Sequence, residues 1–422
     1  MSSTSAIARI TPAAGPLSGR VTLPGSKSVT NRALLVAALA RGKSRLSGIL
    51  RSDDTHHMMV ALRAMGVEIE EIDATTLIVT GTGSLLAPDG PLFLGNAGTA
   101  VRFLTAAAAL VDGQVTVTGD EHMQKRPIAP LVDTLRRLGV AASSATGCPP
   151  VVIDGTGTFE TGDIAVSGQL SSQYISAIMM LAAMGEDESR IRIEGGAIGA
   201  VGYLHITAAV MRAFGATVTF PRTDLIVIEP GGYVATDYHV EPDASAATYL
   251  WAAEALTGGR IDIGTSARDF NQPDAAAYVP IVAFPRMPDV IEGSQMQDAI
   301  PTLAVLAAFS ETPVRFTGIG NLRVKECDRI EALRDGLTRI RSDLATVEGD
   351  DLIVHGDPKL RGAHRPARID SYADHRIAMC FALAGLLVDG IEIEDPMCVS
   401  KTFPDYWDVL RELGVRIKIE GL

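Results

Sequence analysis

Cysteine is scarce in this chain of 422 residues, and no two of its cysteines form a C-x-x-C pair. The four occur singly, as Cys148, Cys327, Cys380 and Cys398. This scatter argues against a disulfide framework and a thiolate metal site, and it is typical of a protein kept in a reducing compartment. We therefore expect a cytoplasmic protein without a bound metal.

Positive charge is also in deficit, because 37 lysines and arginines face 50 aspartates and glutamates, giving a net charge of -13. This balance argues against nucleic acid or an anionic membrane surface as a partner, since both require a broad basic face. No apolar run approaches the length that spans a bilayer, and the N-terminal MSSTSAIARITPAAG lacks the apolar core of a signal peptide. An anionic ligand must therefore meet a local group of cations.

One such group stands in LPGSKSVTNRALLVAALARG, residues 23–42. The stretch lacks the G-x-x-x-x-G-K-[ST] spacing of a nucleotide-binding phosphate loop. It does place Lys27, Ser28 and Arg32 where an apolar helix begins, and the free amides of a helix N-terminus favour an anion. An ordinary serine-capped helix start remains an alternative for this stretch taken alone.

A repeated pattern predicts the fold class. An apolar helical run, a short turn and a β-rich strand recur six times, as in NRALLVAALARGKSRLSGI, VRFLTAAAALVDGQVTVTG and IAMCFALAGLLVDGIEIED. Second helices such as LVDTLRRLGVAA lie between the copies. Helices that are apolar on nearly every side must be buried, so we expect an α/β protein with sheets covering six central helices.

The stretches just before these helices carry most of the unusual chemistry: GSKSVTNR, LGNAGTAVR, SGQLSSQY, VEPDASAA, SQMQDAIP and SYADHR. Small residues, amides, carboxylates and cations gather where helices are predicted to begin. If the helices are parallel, their N-termini meet on one face of each half of the chain, and that face attracts anions despite the net charge. The pattern predicts a cleft for a small, multiply negative substrate.

Seven motifs then follow one another along nearly the whole chain: LPGSKSVTNRALL, LGNAGTAVRFLTAA, RPIAPLVDTLRRLG, SGQLSSQY, LRVKECDRI, YADHRIAM and VSKTFPDYWDVL. Together they resemble the enolpyruvyl transferase family, and within it the members that act on shikimate 3-phosphate. The resemblance implies a two-domain inside-out α/β barrel, each domain holding three βαβαββ repeats with buried parallel helices. It further implies that residues 24–241 form one domain, that residues 1–23 and 242–422 form the other, and that the active site lies in the interdomain cleft.

The implied reaction transfers the carboxyvinyl group of phosphoenolpyruvate to the 5-hydroxyl of shikimate 3-phosphate and releases phosphate, a step of the shikimate pathway toward chorismate and the aromatic amino acids. The resemblance implies no cofactor, a monomer, and these two small molecules as partners. Glyphosate, which competes for the phosphoenolpyruvate pocket in the family, is an expected inhibitor.

The resemblance also assigns site residues. Those implied to bind shikimate 3-phosphate are Lys27, Ser28, Arg32, Ser171, Ser172, Gln173, Tyr203, Asp298, Asn321 and Lys325. Those implied to bind phosphoenolpyruvate are Lys27, Asn96, Gly98, Arg126, Gln173, Arg329, Arg376 and Lys401. For proton transfer we expect Asp298 near the 5-hydroxyl with Lys27 beside it, and Glu326 near the methylene carbon. His375 is a further candidate, in contact with the phosphate of phosphoenolpyruvate.

Three positions depart from the family pattern. Ala200 in AVGY replaces a serine that would help to hold the substrate phosphate, and the loss of one such hydrogen bond costs about 1 to 2 kcal/mol. The segment before Asp298 is shortened and lacks the usual Pro-Asp step. Phe103 follows Arg102 where many members have proline, and we expect it to alter glyphosate sensitivity.

Other features have simpler interpretations. The adjacent histidines of SDDTHHMM point in different directions on a helix, which argues against a metal site. EGGAIGAVGY lacks the G-x-G-x-x-G spacing of a dinucleotide site, and Cys327 is interpreted as a replacement for a small threonine. Three alternatives stay open: the sister enzyme that acts on UDP-N-acetylglucosamine, whose loop cysteine has no counterpart in residues 1–147, a transferase with another acceptor, and a non-catalytic anion-binding homologue.

Overall fold

The computed structural model describes residues 6–167, 171–195 and 200–421. Residues 168–170 of SGQLSSQY and residues 196–199 of EGGAIGAVGY therefore lie outside the described part. The chain divides into two compact units. The central unit is Gly25–Pro242, and the discontinuous unit combines the chain up to Pro24 with the chain from Asp243 onward. The domain bounds implied by the resemblance, after residues 23 and 241, each differ by one residue from these divisions.

Two strands precede the central unit, β1 (Ile7–Thr11) and β2 (Ser18–Arg20). The first repeat of the central unit contains α1 (Lys27–Leu39), β3 (Arg41–Ser47), α2 (Asp53–Ala64), β4 (Glu68–Glu71) and β5 (Leu77–Thr82). The second contains β6 (Leu92–Phe93), α3 (Gly98–Ala107), β7 (Asp112–Thr118), α4 (Ala129–Arg137), β8 (Ala141–Ser144) and β9 (Val151–Thr156). The third contains β10 (Gly162–Ser167), α5 (Ser172–Ala182), β11 (Ser189–Glu194), α6 (Val201–Ala213), β12 (Val218–Arg222) and β13 (Leu225–Ile228), and β14 (Tyr238–His239) follows it.

The discontinuous unit continues with a shortened repeat of α7 (Ala244–Thr257), β15 (Arg260–Asp262) and α8 (Tyr278–Val282). The next repeat contains β16 (Val290–Glu292), α9 (Ile300–Ala307), β17 (Val314–Thr317), α10 (Arg329–Ile340), β18 (Ala345–Glu348) and β19 (Asp351–Val354). The last contains β20 (His364–Ile369), α11 (His375–Gly385), β21 (Asp389–Glu394), α12 (Tyr406–Glu412) and β22 (Arg416–Glu420).

The sheets share one topology, shown by the order β10-β11-β13-β12. β10 and β11 are parallel, with Gly162 opposite Ser189, and β13 pairs antiparallel with β11. A parallel pair needs a crossover, which the buried helix α5 supplies. The corresponding orders are β14-β3-β5-β4, β6-β7-β9-β8, β16-β17-β19-β18 and β20-β21-β1-β22.

The first helix of each repeat lies at the centre of its unit. Every residue of α3 and α11 is buried, and in α1 every residue except Ser28 is buried. The second helices α4 and α10 bury one face only, as their alternation of apolar and charged residues predicts. Each unit thus has its own apolar core between central helices and outer sheets. Among the described residues, no helix combines the length and apolar character needed to cross a bilayer.

One repeat departs from the others. Within the described residues, five sheets have four strands, whereas β15 pairs only with β2. After β15 the chain forms short 3-10 turns at Ala267–Asp269 and Pro273–Ala277, followed by α8, in place of a second full helix and two strands. The shortening expected before Asp298 therefore removes one side of a repeat, while the helix α9 that follows Asp298 is retained.

Candidate active site

The first helix of the central unit begins with a capped turn and a buried cation. Ser26 caps α1 by accepting a hydrogen bond from the backbone N–H of Val29. The side chain of Lys27 is 11% exposed, and its Nζ lies 3.3 Å from Oδ2 of Asp54, at the start of α2. Asp54 therefore holds the Lys27 ammonium in a place from which water is largely excluded.

Arg32, one turn further along α1, is held by side chains from two other helices. Its Nε donates to Oγ1 of Thr207 at 2.7 Å, and its Nη2 donates to Oγ of Ser176 at 3.2 Å. Its Nη1 donates to the Ser28 carbonyl at 2.9 Å. Burial lowers the pKa of Arg32 to about 10, so the guanidinium keeps its charge at neutral pH. A guanidinium has five N–H donors, and three of those of Arg32 are bonded to described residues, which leaves two for an anion.

Phe103 covers this guanidinium. The ring centroid lies 5.1 Å from Cζ of Arg32, within the range of a cation–π contact, and Phe103 is fully buried in α3. The Tyr203 ring lies 6.0 Å from the same atom. The residue that departs from the family pattern thus contacts a cation assigned to shikimate 3-phosphate.

The residues assigned to phosphoenolpyruvate in this unit meet at the start of α3. Nη1 of Arg126 donates to Oδ1 of Asn96 at 3.2 Å. A Cβ at Gly98 would lie 2.9 Å from Nη1 of Arg126, so any larger residue there would require the guanidinium to shift from its present position beside α3. Gln173 joins the group from α5, because its Nε2 donates to Oγ1 of Thr99 at 3.3 Å.

The starts of α5 and α6 differ in their caps. Ser171 caps α5 by accepting the backbone N–H of Gln173 at 3.2 Å, and Ser172, the first helical residue, is buried. Ala200 occupies the N-cap of α6 without a side-chain hydrogen bond, in a left-handed conformation with φ 62°. The missing hydroxyl expected from AVGY therefore coincides with a backbone conformation that a non-glycine residue rarely adopts.

In the discontinuous unit, Arg329 joins three carboxylates. Nε and Nη2 donate to the two carboxylate oxygens of Asp374, at 2.7 and 3.2 Å. Nη1 donates to Asp298 at 3.1 Å, and Nη2 also donates to Glu326 at 2.8 Å. Burial works against the Arg329 charge, but the three carboxylates more than offset it and raise the pKa. The two carboxylates expected to move protons are thus oriented by the same guanidinium.

Further cations surround these two carboxylates. Asp298 lies 2.8 Å from Nη2 of Arg376 and 3.8 Å from Nζ of Lys325. Glu326 lies 3.1 Å from Nζ of Lys401. With Arg329 and Asp374, four cations meet three carboxylates, so these seven side chains together have one net positive charge in a chain whose net charge is negative. We call it the carboxylate–cation cluster.

Three neighbours of the cluster were also singled out from the sequence. Nδ2 of Asn321 donates to Oε1 of Gln297, the residue before Asp298. His375 is fully buried at the first position of α11, with Nδ1 3.7 Å from Asp374. Burial and the nearby Asp374 carboxylate raise the pKa of the Cys327 thiol, whose Sγ lies 3.6 Å from Oδ2 of Asp374. A protonated thiol is a poor nucleophile, which supports a structural role for Cys327.

Sequence reasoning missed the partners that hold these groups. Asp374 caps α11 by accepting the N–H of Arg376, and the ADHR stretch contained that signal, since aspartate before a helix is a common cap. The sequence suggested no role for Asp54, the partner of Lys27, because SDDTHHMM was considered only for its histidines. Asp274, buried in the shortened repeat, accepts a hydrogen bond from Ser245 at 2.5 Å, and burial raises its pKa to about 6.

Known proteins match this chain over almost its full length. The EPSP synthase (3-phosphoshikimate 1-carboxyvinyltransferase) family matches residues 12–283 and 286–410. The chain belongs to the EPSP synthase family. It is 63% identical over 406 residues to the 3-phosphoshikimate 1-carboxyvinyltransferase of Rhizobium leguminosarum bv. trifolii, which covers 96% of this chain and 97% of that protein.

Two further comparisons agree. The chain is 58% identical over 409 residues to the 3-phosphoshikimate 1-carboxyvinyltransferase of Pseudomonas syringae pv. tomato, over 97% of this chain and 98% of that protein. The solved EPSP synthase from Acinetobacter baumannii is similar with a TM-score of 0.78 and 26% identity, over 99% of this chain and 100% of that one. The predicted family and the two-domain α/β repeat fold are therefore confirmed, while the residue roles stay predictions.

Proposed function

We propose that the helix starts of the central unit and the carboxylate–cation cluster bind the two substrates of the EPSP synthase reaction. As a member of this family, the protein transfers the carboxyvinyl group of phosphoenolpyruvate to the 5-hydroxyl of shikimate 3-phosphate and releases phosphate. Addition joins the hydroxyl oxygen to C2 and a proton to the methylene carbon. Elimination then removes a methyl proton and expels phosphate, so the proton added at carbon is returned.

Shikimate 3-phosphate is proposed to bind at the starts of α1 and α5. Arg32 has two N–H donors left after its contacts with Thr207, Ser176 and Ser28, and a guanidinium suits the paired oxygens of a carboxylate or phosphate. The helix N-termini add free amides. The other residues proposed for this substrate are Lys27, Ser28, Ser171, Ser172, Gln173 and Tyr203, with Asp298, Asn321 and Lys325 from the discontinuous unit.

Phosphoenolpyruvate is proposed to bind Lys27, Asn96, Gly98, Arg126, Gln173, Arg329, Arg376 and Lys401. Four of the five N–H donors of Arg329 are taken by carboxylates, so this residue mainly orients Asp298 and Glu326. Arg376 donates from Nη2 to Asp298, and its buried Nε has no acceptor among the described residues. Arg376 and Lys401 are therefore the cations best able to exchange an internal carboxylate for the substrate anion.

The observation that carries the proposal is the arrangement around Arg329. Asp298 and Glu326 accept hydrogen bonds from different nitrogens of the buried Arg329 guanidinium, Nη1 and Nη2, and each also contacts a second cation, Arg376 and Lys401 respectively. We assign Asp298, with Lys27, to the proton of the 5-hydroxyl and Glu326 to the proton at the methylene carbon. His375 is proposed to contact the phosphate of phosphoenolpyruvate.

The decisive experiment measures phosphate release from phosphoenolpyruvate with shikimate 3-phosphate, with UDP-N-acetylglucosamine, and with no acceptor. We expect release only with shikimate 3-phosphate. Glu326→Gln and Asp298→Asn should each lower kcat by about 10²- to 10⁴-fold, as the loss of a general acid or base does. The matched control is Glu348→Gln, whose carboxylate is exposed and paired with Arg315. Near-normal turnover by Glu326→Gln would refute the assigned proton step.

Three expectations accompany the proposal. Inhibition by glyphosate follows from a phosphoenolpyruvate site built from Arg126, Arg376 and Lys401. A monomer in solution and a cytoplasmic location follow from the resemblance and from the scattered cysteines. Glyphosate inhibition kinetics, sedimentation and cell fractionation respectively test them.

A further inference from the structure

The shortened repeat leaves a cavity of about 1280 Å³ beside α7 and β15. In the other repeats of the described chain, a strand pairs on the side of the second strand that β15 leaves unpaired, as β13 does with β11. Here that side faces the cavity, which is at least as large as the ~300–1,000 Å³ pockets that hold small ligands.

Three aromatic side chains form the apolar wall of this cavity. The Trp251 ring meets the Phe270 ring edge-on at 6.0 Å and the Tyr278 ring at 5.0 Å. Ile261 and Ile263 add aliphatic surface from the β15 region. A wall of aromatic rings packed edge to face is suited to a planar aromatic group, which packs against aromatic faces and edges.

Charged side chains of both signs line the cavity, two carboxylates and two arginines. The carboxylates are bonded within the chain: Glu254 accepts the backbone N–H of Ile261 at 2.8 Å, and Asp262 accepts the N–H of Gly264 at 2.9 Å and lies 3.9 Å from Nε of Arg20. The side chains of Arg260 and Arg268 are exposed, and neither forms an ion pair within the described part of the chain. Arg260 and Arg268 are therefore the charged groups of the lining that an added anion can pair with, since the two carboxylates already accept hydrogen bonds within the chain.

The open edge of β15 is not suited to an added strand. The N–H of Ile261 points to that side and is already bonded to the Glu254 carboxylate. A bonded carboxylate and a three-residue strand are devices that prevent edge-to-edge pairing. We propose that this cavity is a second, non-catalytic site for a small aromatic anion, with its ring against Trp251 and its charge at Arg260 and Arg268.

One wall of the cavity also reaches the carboxylate–cation cluster. Gln272 lines the cavity, and its Oε1 accepts the N–H of Ala244, the first residue of α7. Two residues later, Asp274 accepts the Ser245 hydroxyl, and its charge acts on Arg376. A ligand that displaces Gln272 therefore alters the surroundings of Arg376. This coupling, unlike the binding itself, rests on the function proposed for Arg376.

Binding can be tested with 8-anilinonaphthalene-1-sulfonate, a fluorescent aromatic anion, titrated into the intact protein with saturating shikimate 3-phosphate. We expect saturable binding, weakened at least tenfold in Arg260→Gln/Arg268→Gln and in Ala276→Trp, which fills the cavity from an exposed lining position. The matched control Arg365→Gln changes an exposed arginine on β20 and should bind normally. Circular dichroism checks that each variant is folded.

Two results would overturn the site. Equal affinity in the double variant and the wild type would show that the arginines take no part, and probe binding that occurs without shikimate 3-phosphate but is lost when that substrate is saturating would place the probe at the catalytic residues. The uncharged N-phenyl-1-naphthylamine should bind at least tenfold more weakly than the sulfonate, and equal binding would refute anion selection. An unchanged KM for phosphoenolpyruvate with the probe bound would refute the coupling alone, whereas a change of at least threefold, absent in the double variant, would support it.

Discussion

Asp374 offers the sharpest test of how the carboxylate–cation cluster is held together. Its carboxylate has no exposed surface, and it receives two hydrogen bonds from Arg329, whose side chain is 1% exposed. Asp374→Asn keeps the size of the side chain and an oxygen for the N–H of Arg376, but it removes the charge. Asp298 and Glu326 would then be the remaining carboxylates on Arg329.

The expected loss of stability follows from this burial. Removal of one partner from a buried ion pair costs about 3 to 5 kcal/mol, because the other charge is left without compensation. Two carboxylates remain on Arg329, and the asparagine oxygen can still accept one bond, so we expect about 3 kcal/mol, the lower end of that range. Arg329 should also shift toward Asp298 and Glu326, and displacement of catalytic groups by about 1 Å can lower kcat about 10²-fold.

Urea unfolding followed by circular dichroism measures the first effect, and phosphate release measures the second. The matched control is Asp408→Asn, which removes an exposed ion pair with Arg411 and should cost at most about 1 kcal/mol. If Asp374→Asn unfolds at the same urea concentration as the wild type, with unchanged kcat, the cluster does not depend on its buried anion and our account of Arg329 is wrong.

Three further predictions concern single side chains. Phe103→Leu removes the cation–π contact, worth about 0.5 to 2 kcal/mol, and should raise KM for shikimate 3-phosphate about 2- to 30-fold; Phe103→Pro should change the glyphosate inhibition constant. Ala200→Ser should lower KM for shikimate 3-phosphate about 5- to 30-fold, since a regained hydrogen bond contributes about 1 to 2 kcal/mol. The free energy of unfolding of Asp274→Asn minus that of the wild type, measured by urea unfolding, should increase as the pH rises from 4.5 to 7, because burial raises the pKa of Asp274 to about 6.

The sign of the Asp274 effect follows from linkage. A carboxyl whose pKa is higher in the folded state than in the unfolded state stabilises the protein fully below its unfolded pKa near 3.8, and this stabilisation is lost as the pH rises through about 6. Asparagine carries no such loss. A difference between variant and wild type that stays constant from pH 4.5 to 7 would contradict the raised pKa.

The predictions for Phe103 and Ala200 each have a control. Phe103→Tyr keeps an aromatic face over Arg32 and should retain the KM for shikimate 3-phosphate. Glyphosate inhibition that does not differ between Phe103→Pro and the wild type would refute the expectation from sequence. For Ala200→Ser, the KM for phosphoenolpyruvate should not change, and an unchanged KM for shikimate 3-phosphate would show that the added hydroxyl does not reach the phosphate.

The helices and their starts could be predicted because their signals are local. An apolar run followed by a turn and a β-rich strand identifies each repeat within about twenty residues. Ser26 and Asp374 cap helices through bonds to residues two or three positions further along the chain. Such bonds depend on the local backbone, so the order of residue types is enough to predict them.

The shortened repeat shows what local sequence patterns could not predict. A missing stretch before Asp298 was recognisable in the sequence, but its consequence was not. Only the packed structure shows that β15 has a partner on one side and a cavity on the other. The residues of β15 have the same pattern as those of the other strands. Whether the second edge of β15 is covered depends on later residues of the chain, so the strand's own segment cannot show it.

The sequence by itself determined the family, the six repeats and the chemical types gathered at the helix starts. Only the tertiary structure decided which of these groups hold one another. Arg32 meets Thr207 across 175 residues of chain, and Arg329 meets Asp374 across 45. These contacts form because buried charges must find partners once the helices pack, and the identity of the partner depends on which helices become neighbours. No local pattern contains that information.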